Sequence, residues 1–341
     1  MKKSLMTLGV LALFVLMAYG QEKKFALYSV AFYNMENLFD TIHDEGKNDY
    51  EYLPNGTNQW NTMKYKAKLK NMSEILSMLS TDKLPMGPAI IGVSEIENYR
   101  VLEDILKQPA LADKGYQYVH YEGEDRRGVD CAFFYNPKLF ELTNSKLVPY
   151  VYINDTVHKT RGFLIASGNI AGEKMHFIVN HWPSRAAASP VRERAGEQVR
   201  AIKDSLLRED SAAKIVIMGD MNDDPMDKSM AVALGAKRKP ADVGPTDLYN
   251  PWWDTLKKGY GTLMYKGKLN LFDQIVFTGN LLGTDRSTLK FYKHEIFRRD
   301  FMFQKEGKYK GYPKRTQAGG VWLNGYSDHL PTIIYLIKEV K

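Results

Sequence analysis

Residues 214–225 read KIVIMGDMNDDP. The run Ile215-Val216-Ile217-Met218 is apolar at consecutive positions and mostly β-branched, the pattern of a strand buried on both faces. It stops at Gly219, and Asp220, Asn222, Asp223 and Asp224 follow at once. Asp, Asn and Pro after a strand are ordinary turn chemistry. Taken alone, the stretch therefore establishes a buried strand whose tip carries side-chain oxygens. What those oxygens do depends on how the other strands end.

Strand-like runs, recognised by length and by β-branched or aromatic content, fall at 27–35, 89–96, 129–135, 175–182, 214–220, 272–278 and 331–337. Helical periodicity covers about 63–79, 99–107 and 189–207, the last opened by Ser189 as N-cap and Pro190 in the first turn. Strands outnumber helices, and several successive strands have only loops between them. The expectation is an α/β fold of two mixed sheets packed together with helices outside, not a doubly wound sheet. No linker-like stretch divides the chain, so a single domain is expected from about residue 25 to 341. Residues 298–325 are polar and rich in Lys, Arg, Tyr and Gly, and read as a long surface loop, which in a compact domain is either functional or disordered.

With 341 residues and 44% hydrophobic content the chain can build a large core. The first twenty residues stand apart: Lys2 and Lys3, an apolar stretch LMTLGVLALFVLM, then Ala18-Tyr19-Gly20 before Gln21. This is the layout of a secretory signal peptide, with a retained membrane anchor as the other reading, so the mature protein is expected outside the cytoplasm, periplasmic or extracellular. No cysteine stands at the cleavage position, which argues against a lipoprotein. Cys131 is the sole cysteine and excludes an internal disulfide. Removing Lys2 and Lys3 lowers the formal charge from +7 to +5, a mild basic excess compatible with a phosphate-bearing partner.

Nearly every expected strand ends in carboxylate, carboxamide or imidazole groups. The ends are FYNMENLFD (32–40), GVSEIEN (92–98), VNHWPSR (179–185) and GDMNDDP (219–225); Asp273 opens FDQIVF, and Ser327, Asp328 and His329 open the last strand. Each has a plain structural reading as a turn, a cap or a satisfied half-buried histidine, but so many motifs at corresponding strand ends make a common rim. Oxygen and imidazole donors without cysteine suit a hard divalent cation, Mg²⁺ or Mn²⁺. Strand alternation places Asp220 and Asn222 on the same side.

The ordered set NMEN, SEIEN, NHWPSR, GDMNDDP, FDQIVF and SDHLP resembles the endonuclease/exonuclease/phosphatase superfamily, the deoxyribonuclease-I-like enzymes. The resemblance runs from Asn34 to Pro331. It implies a four-layer α/β sandwich and Mg²⁺-dependent cleavage of phosphate esters. By motif it places Asn34, Glu36, Glu95 and Asp328 at metal. It makes Asp220 and Asn222 the pair that activates water and contacts the phosphate. His329 is the phosphate-side histidine, Asp273 its orienting carboxylate, and His181 an additional histidine. Ser94 stands where the family often has Gln, and Glu97 competes with Glu95, which is preferred because it directly follows the apolar strand. Cleaving a phosphodiester needs its charge neutralised, a water deprotonated and the leaving oxygen stabilised, and this set supplies groups for each task.

For substrate contact the candidates are Arg127, Arg185, Tyr265 and Lys266, with Lys308, Lys310, Lys314 and Arg315 in the long loop; a nucleic acid would use such cations. The expected protein is an exported, monomeric nuclease needing no obligate protein partner. A phosphatase or a phospholipid- or sphingomyelin-cleaving phosphodiesterase is the enzymatic alternative, and an inactive surface binding protein the non-enzymatic one.

Overall fold

The computed structural model describes residues 23–340; the expected signal peptide, residues 1–20, lies outside that range. In chain order the strands are β1 (Lys24–Leu38), β2 (Ile90–Ile96), β3 (Gln117–His120), β4 (Asp130–Tyr135), β5 (Phe140–Val148), β6 (Phe163–Ile170), β7 (Glu173–His181), β8 (Lys214–Asp220), β9 (Ala236–Lys237), β10 (Leu248–Tyr249), β11 (Leu263–Tyr265), β12 (Lys268–Asn270), β13 (Asp273–Thr278), β14 (Lys290–Ile296), β15 (Gln317–Ala318), β16 (Val321–Trp322) and β17 (Thr332–Val340). The α-helices are α1 (Thr62–Met78), α2 (Tyr99–Leu106), α3 (Ser189–Glu209) and α4 (Trp252–Lys257).

Two large mixed sheets result, one ordered β14-β17-β1-β2-β4-β3 and the other β5-β6-β7-β8-β13-β10-β9. Their facing side chains, among them Val30, Phe32, Ile90, Phe133, Val179, Met218, Ile275 and Phe277, form one buried layer. On the outer face of the first sheet, Ala31, Tyr33, Ile91 and Val93 pack with α1 and α2 residues such as Leu69, Met72, Val101 and Ile105. On the outer face of the second, Ile178, Ile215, Ile217 and Val276 meet Ala195, Val199 and Leu206 of α3. The chain is thus a four-layer α/β sandwich with helices outside two face-to-face sheets. β8 explains its own sequence: Val216 and Met218 enter the inter-sheet layer while Ile215 and Ile217 enter the helix layer, so alternation between polar and apolar residues has no place in it.

Two glycines permit close approach, one between the sheets and one between neighbouring strands. A Cβ on Gly92 would lie 2.5 Å from Met218 Sδ across the inter-sheet layer. A Cβ on Gly219 would lie 2.3 Å from the Asn180 carbonyl oxygen of neighbouring β7. Substitution at either forces backbone or core to move.

Several strands have no continuous apolar run in the sequence. β3, β5 and β14 are sheet edges, and β5 (FELTNSKLV) and β14 (KFYKHEI) are studded with polar residues because one side meets solvent. In α3 the cap position falls on Ala188, with Ser189 as the first helical residue bonded to Glu193 through its hydroxyl (3.1 Å). The stretch 298–325 is not structureless. It holds a short helical turn at Asp300–Met302 and the β15–β16 hairpin, and is closed on itself by Gln304 N–H to Tyr312 O and Lys314 N–H to Met302 O, both 2.8 Å. Among the described residues, no helix is long and apolar enough to cross a membrane.

Candidate active site

Sheet register gathers the quoted motifs. In the second sheet β7 runs parallel and β13 antiparallel to β8, so that Asp220 is paired directly with His181 on one side and Asp273 on the other. In the first sheet β1 and β2 run parallel with Asn34 opposite Ser94, after which the register slips before Leu38. Glu36, Asn37 and Glu95 take left-handed φ values of 46°, 51° and 59°, and Asn222 one of 52°. Non-glycine residues in this region carry local strain, of order 1–3 kcal/mol each, that surrounding structure must hold. All four stand at or just beyond the ends of β1, β2 and β8.

The two sheets meet at Asp220. Asn34 Nδ2 donates to Asp220 Oδ2 at 3.1 Å, while Asn34 Oδ1 accepts the Glu36 N–H at 2.8 Å, so the amide of Asn34 is fixed at both ends. His181 Nε2 lies 3.6 Å from Glu95 Oε1 and 3.7 Å from Asp220 Oδ2. His329 Nδ1 is 2.7 Å from Asp273 Oδ2, and its Nε2 lies 3.9 Å from both Asp220 Oδ2 and Asp328 Oδ1. Glu95 keeps its register through Oε2, which accepts the Asn37 N–H at 3.0 Å.

Burial sets the charges. It pushes Asp220 up to about 7, with nearby Asp273 adding to the rise and His329 opposing it. At His329 burial favours the neutral ring, but Asp273, Asp328 and Asp220 outweigh it and hold the ring charged well above its ordinary range. His181 goes the other way: burial, then the guanidiniums of Arg161 and Arg127 and the ring of His329, keep it neutral. The site therefore holds one cationic and one neutral imidazole around a carboxyl poised near neutrality.

The metal that the resemblance implies can be tested against these donors. Glu95, His181 and Asp220 offer one ligand atom each within 4.8 Å of one another, as do Asp220, Asp273 and His329. Asp273 Oδ1 and His181 Nδ1 are buried without a hydrogen-bond partner. A compact set of oxygen and imidazole donors fits a hard divalent cation. Glu36 fits it poorly. Its oxygens accept from Arg315 Nε (2.7 Å) and from the Thr316 N–H (2.8 Å). Asp328 joins the same arginine at 3.0 Å. Glu97 points elsewhere, accepting the Asp40 N–H at 2.7 Å, and burial raises its carboxyl to about 9.

Asn222 lies beyond the end of β8, so a left-handed turn and not strand alternation sets its direction. Its N–H donates to Asp220 Oδ1 and its Nδ2 to the Trp182 carbonyl, both at 2.9 Å. Of the substrate candidates, Arg185 is occupied with structure. It donates to the Asn222 carbonyl at 3.0 Å, pairs with Asp223, Asp224 and Asp227, and stacks its guanidinium 4.3 Å from the Phe272 ring centre. Arg127 is half-exposed beside Asp125, at 3.8 Å. Lys266 turns the β11–β12 hairpin, with its ammonium 5.3 Å from the Tyr265 ring centre. It lines a cavity of about 910 Å³ that also reaches Asp328 and Arg315, with Tyr52, Trp60, Lys308 and Tyr309 on its walls.

Two buried cations escape the motif reading. Arg161 binds Asp125 (2.9 Å) and the Trp182 carbonyl (2.8 Å), the carbonyl that also holds Asn222. Lys68 is fully buried and reaches Glu36 Oε2 at 3.8 Å. A signal for Lys68 exists: it falls at helical spacing among Tyr65, Leu69, Met72, Ile75 and Leu76, on the inward face of α1, where a lysine needs an anionic partner.

Two face-to-face mixed sheets with helices outside define a fold of the DNase-I-like class. A profile of the Endonuclease/Exonuclease/phosphatase family matches residues 29–338, and the chain belongs to that family. Members are hydrolases acting on phosphate esters and typically use divalent metals. No curated protein matches the chain. Among solved structures it is similar to an endonuclease/exonuclease/phosphatase family protein from Bacteroides thetaiotaomicron (TM-score 0.58, 15% identity, 93% of this chain and 97% of that one). It is also similar to a mannosyl-6-phosphatase of that species (0.56, 14%, 91% and 99%) and to D. rerio TDP2 complexed with a single-strand DNA product (0.53, 14%, 91% and 99%). At such identities the likeness is one of fold.

Proposed function

We propose that the protein is an exported, divalent-metal-dependent phosphodiesterase that cleaves nucleic-acid strands. The observation carrying the hydrolytic part is Asp220, paired in register with His181 and Asp273, tethered by Asn34 and raised to about 7. A carboxylate of that affinity can orient a water and take its proton near neutral pH. His329, kept cationic and pointed by Asp273, donates through Nε2 to a nonbridging phosphate oxygen. His181 offers a second, neutral imidazole from the opposite side. Glu95 would hold Mg²⁺ or Mn²⁺, with Asp328 at the rim, leaving Asp220 and His181 to the water and the phosphate. When bound, the cation supplies charge neutralisation at the phosphate and the leaving oxygen.

The nucleic-acid part is supported by the adjoining cavity, where Tyr52 and Tyr309 offer aromatic surface and Lys266 and Lys308 offer positive charge. Aromatic faces and cations side by side suit bases and phosphates of a single strand. Export rests on residues 1–20 and is tested by mass spectrometry of the secreted protein, which should begin at Gln21. The deciding experiment is a Mg²⁺/Mn²⁺ activity screen over single-stranded DNA, plasmid, RNA, bis-p-nitrophenyl phosphate, p-nitrophenyl phosphate and sphingomyelin. Strand cleavage with loss in chelator is expected. Turnover of monoesters alone would replace the nuclease reading by a phosphatase, and full activity in chelator would remove the metal-dependent one.

A further inference from the structure

The first strand motif gives Glu36, by resemblance, to metal, yet its carboxylate is already engaged. Oε1 accepts from Arg315 Nε at 2.7 Å; Oε2 accepts the Thr316 N–H at 2.8 Å and lies 3.8 Å from Lys68 Nζ. Lys68 is fully buried, and its ammonium also donates to Thr316 Oγ1 and, at 2.6 Å, to the Tyr326 carbonyl. A cation at Glu36 would have to displace one of these partners and leave another buried charge uncompensated. The contacts instead join the end of β1, the inner face of α1 and the segment 315–326, three pieces distant in sequence.

What they hold is Arg315. Beyond Glu36, its Nη2 lies 3.0 Å from Asp328 Oδ2, next to His329. Its Nη1 makes no hydrogen bond among the described residues, and its side chain is 46% exposed where it lines the cavity. Burial alone would lower the affinity of this guanidinium for its proton; Asp328 and Glu36 reverse that and keep it charged. A planar fork with one edge clamped and the other free is suited to an anionic oxygen pair, and clamping removes the side-chain freedom that binding would otherwise have to freeze.

We propose that Glu36 and Lys68 are a clamp and not a metal site, and that the residue they position, Arg315, is the phosphate anchor where the cavity opens onto the catalytic cluster. This rests on the phosphoester-hydrolase reading above. It separates Arg315 from two lysines of its loop, Lys310 and Lys314, which do not line the cavity.

The test uses the mature protein and two readouts. Mn²⁺ affinity is measured by titration calorimetry without substrate, and phosphate binding by inhibition with inorganic phosphate alongside kcat/KM on bis-p-nitrophenyl phosphate. Glu36→Gln should leave Mn²⁺ affinity within about twofold, whereas Glu95→Gln should weaken it by about tenfold or more. Arg315→Ala should weaken phosphate inhibition and kcat/KM by about 10- to 100-fold, the worth of a charge-assisted hydrogen bond. Arg315→Lys should recover little of it. Glu36→Gln should show a smaller loss of the same kind, and Glu36→Gln with Arg315→Ala should match Arg315→Ala alone. Loss of Mn²⁺ affinity in Glu36→Gln equal to that in Glu95→Gln overturns the clamp, as does an Arg315→Ala protein with unchanged phosphate inhibition. Unchanged Mn²⁺ binding in Glu95→Gln, with the Arg315 effects intact, would refute the metal placement proposed above and still support the clamp.

Discussion

His329 Nδ1 sits 2.7 Å from Asp273 Oδ2, with both groups buried and Asp273 almost inaccessible. The short contact directs the Nδ1–H of the ring at the Asp273 carboxylate and turns Nε2 toward Asp220 and Asp328, each 3.9 Å away. Asp273 therefore fixes both the direction of the ring and its charge. Two residues from different motifs thus form one hydrogen-bonded pair.

If they act as one, their losses do not add. His329→Ala should lower kcat by on the order of 10² to 10⁴, the span of a positioned proton donor or charge-stabilising group. Asp273→Asn should cost less, because the ring remains but loses its counter-charge. The double variant should resemble His329→Ala, in a cycle measured on one small diester at saturating metal. Strict additivity would mean the pair is wrongly drawn.

The sequence makes Arg185 a candidate for substrate contact, but its guanidinium is spent on Asp223, Asp224, Asp227 and the Asn222 carbonyl. Arg185→Ala should therefore loosen the turn that aims Asn222. Stability should fall by about 1–3 kcal/mol, and kcat should drop with little change in KM for DNA. A rise in KM with unchanged stability would restore its role in binding.

The sequence carried much of this and lost particular parts. β8 was readable because both its faces are buried, so its apolar run is unbroken. β5 and β14 were not, because edge strands mix polar and apolar residues. The positions of His181, Asp220 and Asp273 could be placed at strand ends, but their pairing in register requires knowing that β7 and β13 flank β8. Glu36 and Arg185 are left unassigned by the motifs for one reason: a charged residue in a motif looks the same whether its partner is a ligand or another side chain. Arg315 and Lys68 are 247 residues apart from each other in sequence, and no local pattern links them.

Lys266 and Lys308 line the cavity without a carboxylate partner among the described residues. Changing both to alanine should raise KM on single-stranded DNA and flatten its salt dependence, because fewer backbone charges are neutralised. Turnover of bis-p-nitrophenyl phosphate, too small to reach across the cavity, should hardly change. Equal losses on both substrates would assign these lysines to the catalytic centre.

Away from the site, His294 gives the fold a pH dependence of its own. Burial, helped by the nearby charge of Lys258, lowers its affinity for a proton to about 4. Its Nε2 is 2.8 Å from Thr255 Oγ1, and the ring meets Trp252 edge-on at 4.8 Å. In the unfolded chain the same ring titrates near 6.5. As pH falls below that value the unfolded state takes up the proton first, so stability present above about 6.5 is lost progressively down to about 4 and no further. The loss should be on the order of 3 kcal/mol from this residue. His294→Gln keeps a partner for the Thr255 hydroxyl and removes the titration. It should be less stable than wild type at pH 8, where the ring packs neutral, and should lose less between pH 7 and pH 4.5. Urea unfolding of both proteins across that range measures the difference. Parallel curves with a constant offset would place the acid sensitivity elsewhere, for instance at His181, whose neutral state burial also enforces.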